Sequence, residues 1–262
     1  MFIHMKFTFL FLCCFISAST CFCQTTEGLV YLYKKDGSPA TDVKESSYFM
    51  HLIMQNDSTY ICRYYNTNGP MIRQESFKDS NLTIPNGRFC WYNVNGALDS
   101  SGYVKNGKKD SWWQYKRNST QTDMVNYDNG VVISRETYLY DENGKPINED
   151  TTKRDTTMHV QVKAKFKKGE NDWANYCRNN LNTPARLQSV LPPGQYTVIV
   201  SFLIDKQGKT SDIYLYQSCE WSGDAEIIRL IAGSPKWQPA IQDGLPVIYR
   251  QKQTLTFNVG SN

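Results

Sequence analysis

Histidine is scarce. Only His4, His51 and His159 occur in 262 residues, too few to build a histidine-rich metal cage or a nucleophile–base triad easily. Neither later histidine has an evident partner by spacing, and both read as structural. The sequence has no G-x-x-x-x-G-K-[ST], G-x-S-x-G or H-E-x-x-H, so the common nucleotide, hydrolase and metalloprotease signatures are missing. No C-x-x-C follows residue 23, which leaves zinc without its usual spacing. Asp205 and Asp212 flank a turn but lack a calcium-caging loop, and Glu149/Asp150 sit in a polar stretch where nothing tunes their pKa. Ten prolines are scattered rather than gathered into a stiff arm. Charge is balanced at 29 Lys+Arg against 25 Asp+Glu, which disfavours a dedicated nucleic-acid binder. An enzyme is the weaker reading, and no cofactor or metal is expected.

A long apolar run is also lacking. Residues 1–23 carry Lys6, an apolar stretch from Phe7 to Ile16 broken only by Thr8, and small or hydroxylated residues from Ser17 to Thr20. That is the layout of a secretory signal peptide cleaved near Cys23–Gln24, too short for a span of ~20 apolar residues. The alternatives are a lipoprotein acylated at Cys21 or Cys23, and an inner-membrane anchor if the segment stays on. Four of the eight cysteines lie there, leaving Cys62, Cys90, Cys177 and Cys219. In an oxidising compartment they can pair, with Cys62–Cys90 and Cys177–Cys219 the pairings internal to each half; buried free thiols are the other reading.

What is abundant is aromatic: 17 Tyr, 12 Phe and 6 Trp, a composition that favours strands. Residues 29–147 alternate short aromatic runs with glycine turns, among them Lys35-Asp36-Gly37, Asn95-Gly96 and Asn143-Gly144. Asn86-Gly87, Asn106-Gly107 and Asn129-Gly130 follow one another at intervals of 20 and 23 residues. Asn-Gly supplies the positive φ of a hairpin turn, and a period of that length marks stacked supersecondary units. An elongated antiparallel ribbon over 24–147 is expected, with Trp91, Trp112, Trp113 and Tyr115 packing between units or offering a stacking platform. The stretch GRFCWYNVNGALDSSGYVKNGKKDSWWQY, residues 87–115, resembles the MORN-repeat variant of YwqK-like proteins. Ser111 stands where that pattern carries glycine. The resemblance implies a scaffold or contact surface and no chemistry.

Residues 148–157 carry no apolar side chain and read as a linker. Val160, Val162, Ala164 and Phe166 then alternate with Lys163, Lys165 and Lys167, an extended arm. Trp173, Tyr176, Cys177 and Leu181 form a helical stripe that Pro184 limits. Val198, Val200, Phe202 and Ile204 mark a strand, Asp205–Gly208 a turn, and TSDIYLYQS the returning strand. A second helix, capped by Ser222 or Asp224, buries Ile227, Ile228 and Ile231. The last strand alternates Leu255, Phe257 and Val259 with Thr254, Thr256 and Asn258. The expectation for 158–262 is an α+β domain, an antiparallel three-stranded sheet with two helices, following the all-β antiparallel hairpin-repeat domain.

The stretches V-x-V-x-F-x-I-D-x-x-G (198–208), SPKWQPAIQDGLPV (234–247) and QTLTFNV (253–259) agree in order and spacing with the C-terminal domain of the energy transducer TonB. This resemblance covers residues 164–260. It implies a periplasmic module that grips a peptide segment of an outer-membrane receptor by adding it as a strand. The edge it implies is Arg250, Gln251, Lys252, Gln253 and Thr254, while Gly208, Trp237, Pro239 and Phe257 are structural signature residues. No nucleic acid or small-molecule cofactor is implied, and exchange of strands could make a homodimer. Lacking a retained anchor and a proline-rich arm, the chain reads as a binding module rather than a force transmitter. The alternative is a non-catalytic envelope scaffold that works through its repeats.

Overall fold

The computed structural model describes residues 28–56, 58–142, 145, 147, 162–167 and 170–260. The leader over 1–23, the linker over 148–157, the Asn143-Gly144 turn and His159 lie outside the described residues. Among the described residues, no helix is long and apolar enough to cross a membrane.

Nine strands follow one another as an antiparallel meander: β1 (Gly28–Tyr33), β2 (Tyr48–Asn56), β3 (Thr59–Asn66), β4 (Met71–Phe77), β5 (Gly87–Tyr92), β6 (Leu98–Lys105), β7 (Lys108–Lys116), β8 (Gln121–Asp128) and β9 (Val131–Leu139). Turn chemistry explains the order. Asn106 and Gly107 have φ of 49° and 81°, and Asn129 and Gly130 of 50° and 88°, the paired positive values of a two-residue hairpin turn. Asn86-Gly87 behaves otherwise: it closes the longer β4–β5 loop, which Asp79 organises by accepting from the Thr83 and Ile84 amides. At Ser111 the backbone does take the left-handed form, with φ of 59°, and the β6–β7 register breaks beside it.

The chain continues through β10 (Lys165–Phe166), α1 (Glu170–Asn180), α2 (Ala185–Val190), β11 (Gly194–Ile204), β12 (Thr210–Gln217), α3 (Trp221–Ala232), β13 (Trp237–Gln238), β14 (Ala240–Gln242), β15 (Leu245–Val247) and β16 (Tyr249–Val259). Strand β11 lies between β12 and β16, while β10–β13 and β14–β15 are separate two-stranded pairs. Pro184 limits α1 but is also the residue from which α2 starts, since proline is tolerated at a helix entry. The cap of α3 is Glu220, whose carboxylate accepts from the Ser222 amide, rather than Ser222 or Asp224.

The expected fold class is therefore corrected. The chain is not a repeat ribbon followed by a separate small α+β domain with two helices. Among the described residues it is mostly β, with a nine-stranded antiparallel sheet over 28–139, three smaller sheets and three α-helices. One core runs through both halves, joining Phe49, Tyr65, Met71, Tyr92 and Leu98 to Leu187, Val198, Leu215, Ile227 and Phe257. Apolar periodicity locates each of these stripes but does not say that they share a core.

Polar contacts fix that junction. The Ala97↔Gln217 bridge, the Ser218 amide on the Gly96 carbonyl at 2.9 Å, and Gln217 Nε2 on the Asn95 carbonyl at 2.7 Å bind the β5–β6 turn to the end of β12. Tyr92 donates its hydroxyl to the Leu215 carbonyl, and Arg186 reaches the Thr67 carbonyl. All four cysteines are free. Cys62 stands opposite Glu75 and Cys90 opposite Gln74, so the two thiols leave opposite faces of the sheet and cannot bridge.

Candidate functional site

The two outer edges of the β12–β11–β16 sheet are unequal. The β5–β6 turn closes on the end of β12. Strand β16 pairs with β11 from Gly194↔Val259 to Ile204↔Tyr249 and, among the described residues, has no strand on its other side. This open edge contains every residue expected to bind a partner.

Two of those residues are engaged internally. Arg250 folds back across β11 to Asp212 on β12, pairing with its carboxylate through Nη2 and donating to its carbonyl through Nη1 at 3.0 Å. Lys252 crosses the same strand and places Nζ 3.5 Å from the centre of the Tyr216 ring. Ser201, opposite Lys252 in register, is fully buried beneath this crossing. The side chains of Arg250 and Lys252 thus organise the sheet, which leaves Gln251, whose Nε2 donates to the neighbouring Lys252 carbonyl at 3.2 Å, Gln253 and exposed Thr254, with the strand's backbone, to face a partner.

Asp212 is the hub that sequence reasoning missed. Residues Asp212 and Ile213 stand opposite Phe202 alone, a bulge that puts Asp212 at φ of 46°. Its carboxylate also takes a two-pronged bond from Arg88 on β5, at 2.7 and 2.6 Å. Arg88 lies between the Tyr103 and Tyr214 rings, 4.3 and 4.2 Å from their centres. Burial pushes the Asp212 carboxyl up, but the two arginines outweigh it and hold it below the usual range. Burial alone would likewise raise Tyr216, and the Lys252 ammonium together with the hydrogen bonds at its hydroxyl outweighs it. In the sequence Asp212 stands out as an acid that, with Asp205, flanks a turn. Nothing in it foretold a partner 124 residues away.

The signature residues build the support. Trp237 is buried against Phe166, Trp173 and Phe202, with ring centres 5.1, 5.4 and 5.2 Å away. Its amide donates to the Gly208 carbonyl at 2.9 Å. A Cβ on Gly208 would come within 2.0 Å of the Trp237 carbonyl, so only glycine fits. Pro239 separates β13 from β14, and Phe257 is buried under α3 beside Gly223. In the large sheet, Trp91, Trp113 and Tyr115 stack across strands on one face, while Trp112 is half-exposed on the other.

Neither a family model, a curated protein nor a solved structure matches the chain. The likeness to TonB C-terminal domains and to MORN variants rests on sequence motifs alone.

Burial pushes the Cys62 and Cys90 thiols up to about 12 and Cys177 to about 11, which keeps them protonated and unreactive. Among the described residues, no group of three or more His, Cys, Asp or Glu side chains could hold a metal ion. A shallow cleft of about 270 Å³ on α1 is lined by Lys167, Asp172, Asn175, Tyr176, Asn179 and Asn180, none of them on β16.

Proposed function

We propose that the chain is a non-catalytic protein-binding module of a Gram-negative envelope that takes an extended segment of an outer-membrane receptor onto β16 by strand addition. The observation that carries this reading is the contrast between the open, eleven-residue β16 and the partly closed β12 edge. The TonB-like motifs agree with it. Backbone amides and carbonyls supply affinity, and Gln251, Gln253 and Thr254 adjust register.

The test is amide NMR of the intact chain titrated with receptor plug-segment peptides. Intact protein is needed because the two halves share a core. Shifts confined to 249–259, lost when alternate peptide amides are N-methylated, support strand addition. No shift at millimolar peptide overturns it. Self-association through the same amides, without peptide, would show a homodimer instead.

One observation favours a second contact surface. Both edge strands of the large sheet expose apolar side chains, Leu29, Val30 and Tyr31 on β1, and Val131, Val132 and Ile133 on β9. A scaffold role for the repeats draws on these edges.

A further inference from the structure

The junction between the large sheet and α3 buries an unusual amount of polarity: His51, Arg63 and Gln74 from the sheet, and Ser218, Glu220 and Asp224 from the α3 side. Ser218 Oγ stands at its centre. It accepts from the Met71 amide on β4 at 2.7 Å and meets Asp224 Oδ2, donating to the carboxylate and accepting from the carboxyl once Asp224 is protonated. Asp224 also accepts from the Cys219 amide at 3.0 Å. Among the described residues, these neutral groups are its hydrogen-bond donors. The nearby cations are committed elsewhere, Arg63 to Gln74 and Arg186 to Glu220 and the Thr67 carbonyl. Asp224 is therefore a fully buried carboxyl without a cation of its own, one helical turn from a second carboxylate.

We infer that this contact is a proton-operated latch, tight while Asp224 holds its proton and loosened when it does not. Other occupants of the junction do not replace it. Burial raises Tyr65 and Tyr92 on the sheet and Cys219 beside α3, so all three stay neutral near pH 7. His51, which accepts from Trp221 Nε1 at 3.3 Å, is lowered to about 4 by burial and then by Arg63.

Burial, reinforced by Glu220 and only partly offset by the Ser218 and Cys219 hydrogen bonds and by Arg63, raises Asp224 to about 7. A raised carboxyl favours the folded state fully below its unfolded value, near 4, and that advantage is lost as pH climbs to about 7. His51 has the opposite sense over about pH 4 to 6.5, so the wild-type pH profile alone is ambiguous. Comparison with Asp224→Asn separates them, because asparagine keeps an acceptor for Cys219 and a donor for Ser218 but cannot ionise.

The test is urea unfolding of the full chain at pH 5, 6, 7 and 8. The unfolding constant of wild type relative to Asp224→Asn is expected to rise about tenfold per pH unit from 5 to 7 and then level off. A flat ratio overturns the latch. Carboxyl carbon-13 titration of wild type gives an independent readout if the variant folds poorly. A midpoint near 7, with the Met71 amide shifting in step, supports the latch; a midpoint below 5, or an unmoved Met71, overturns it.

Discussion

Two Asn-Gly turns differ in one respect that isolates the cost of separating the halves. Gly96 and Gly107 have similar backbone angles, φ of 75° and 81°. Around Gly107 an added Cβ meets nothing within 4 Å, whereas at Gly96 it would lie 2.4 Å from the Ser218 carbonyl oxygen and 2.6 Å from Pro70 Cβ. Alanine at either site incurs the left-handed backbone penalty of about 1–2 kcal/mol. Only at Gly96 does it also overpack, and the obstructing atom is backbone, which yields less than a side chain; such overpacking costs about 1–3 kcal/mol. Gly96→Ala should therefore destabilise by about 2 kcal/mol more than Gly107→Ala. Urea unfolding followed by circular dichroism and by tryptophan fluorescence measures both. In Gly107→Ala the two signals should move together. In Gly96→Ala the midpoint should drop further, and separation of the signals would mean that the halves have begun to unfold apart. Equal losses in the two variants would refute the docking of the β5–β6 turn on Ser218.

Four other substitutions have expected outcomes. Arg88→Met should cost about 3 kcal/mol, because it strips one partner from a buried ion pair. Arg250→Ala, at a more exposed guanidinium, should cost only about 1 kcal/mol, and a cycle with Asp212→Ala should show strong coupling to Arg88; additivity would be fatal to the hub. Ser111→Gly should gain about 1 kcal/mol by relieving a left-handed serine, read as a rise in Tm. His51→Gln should flatten the acid limb of the stability curve: a histidine lowered by burial favours the fold above about pH 6.5, and that favour disappears as pH falls toward 4. An unchanged acid limb would count against that assignment.

Local structure was legible where one short stretch carries the whole cause. Asn106-Gly107 and Asn129-Gly130 announce their turns, and Val198, Val200, Phe202 and Ile204 announce the buried face of β11. Legibility fails where the cause is a pair of distant polar residues. Arg88 and Asp212 belong to no apolar period, so the shared core looked like two. Pro184 read as a stop because proline ends helices, yet it also opens them. An even cysteine count says nothing about which sheet face each thiol leaves, and that decides Cys62 and Cys90. Within the candidate site, the position of the open strand followed from the TonB-like motifs. The engagement of Arg250 and Lys252 did not, since their targets lie two strands away on β12.

The nine-stranded sheet follows chain order from β1 to β9 without a crossover, and among the described residues its hydrogen bonds to the other half reach outward as far as β7, where Gln114 accepts from Tyr216. Beyond that strand, duplicating or deleting a hairpin disturbs no register but its own. At about 4.8 Å per strand, each hairpin shifts the far tip by about 10 Å. Reach from the anchored end is thus set by the number of hairpins beyond β7, a ruler graduated in hairpins, while the anchored half keeps its shape.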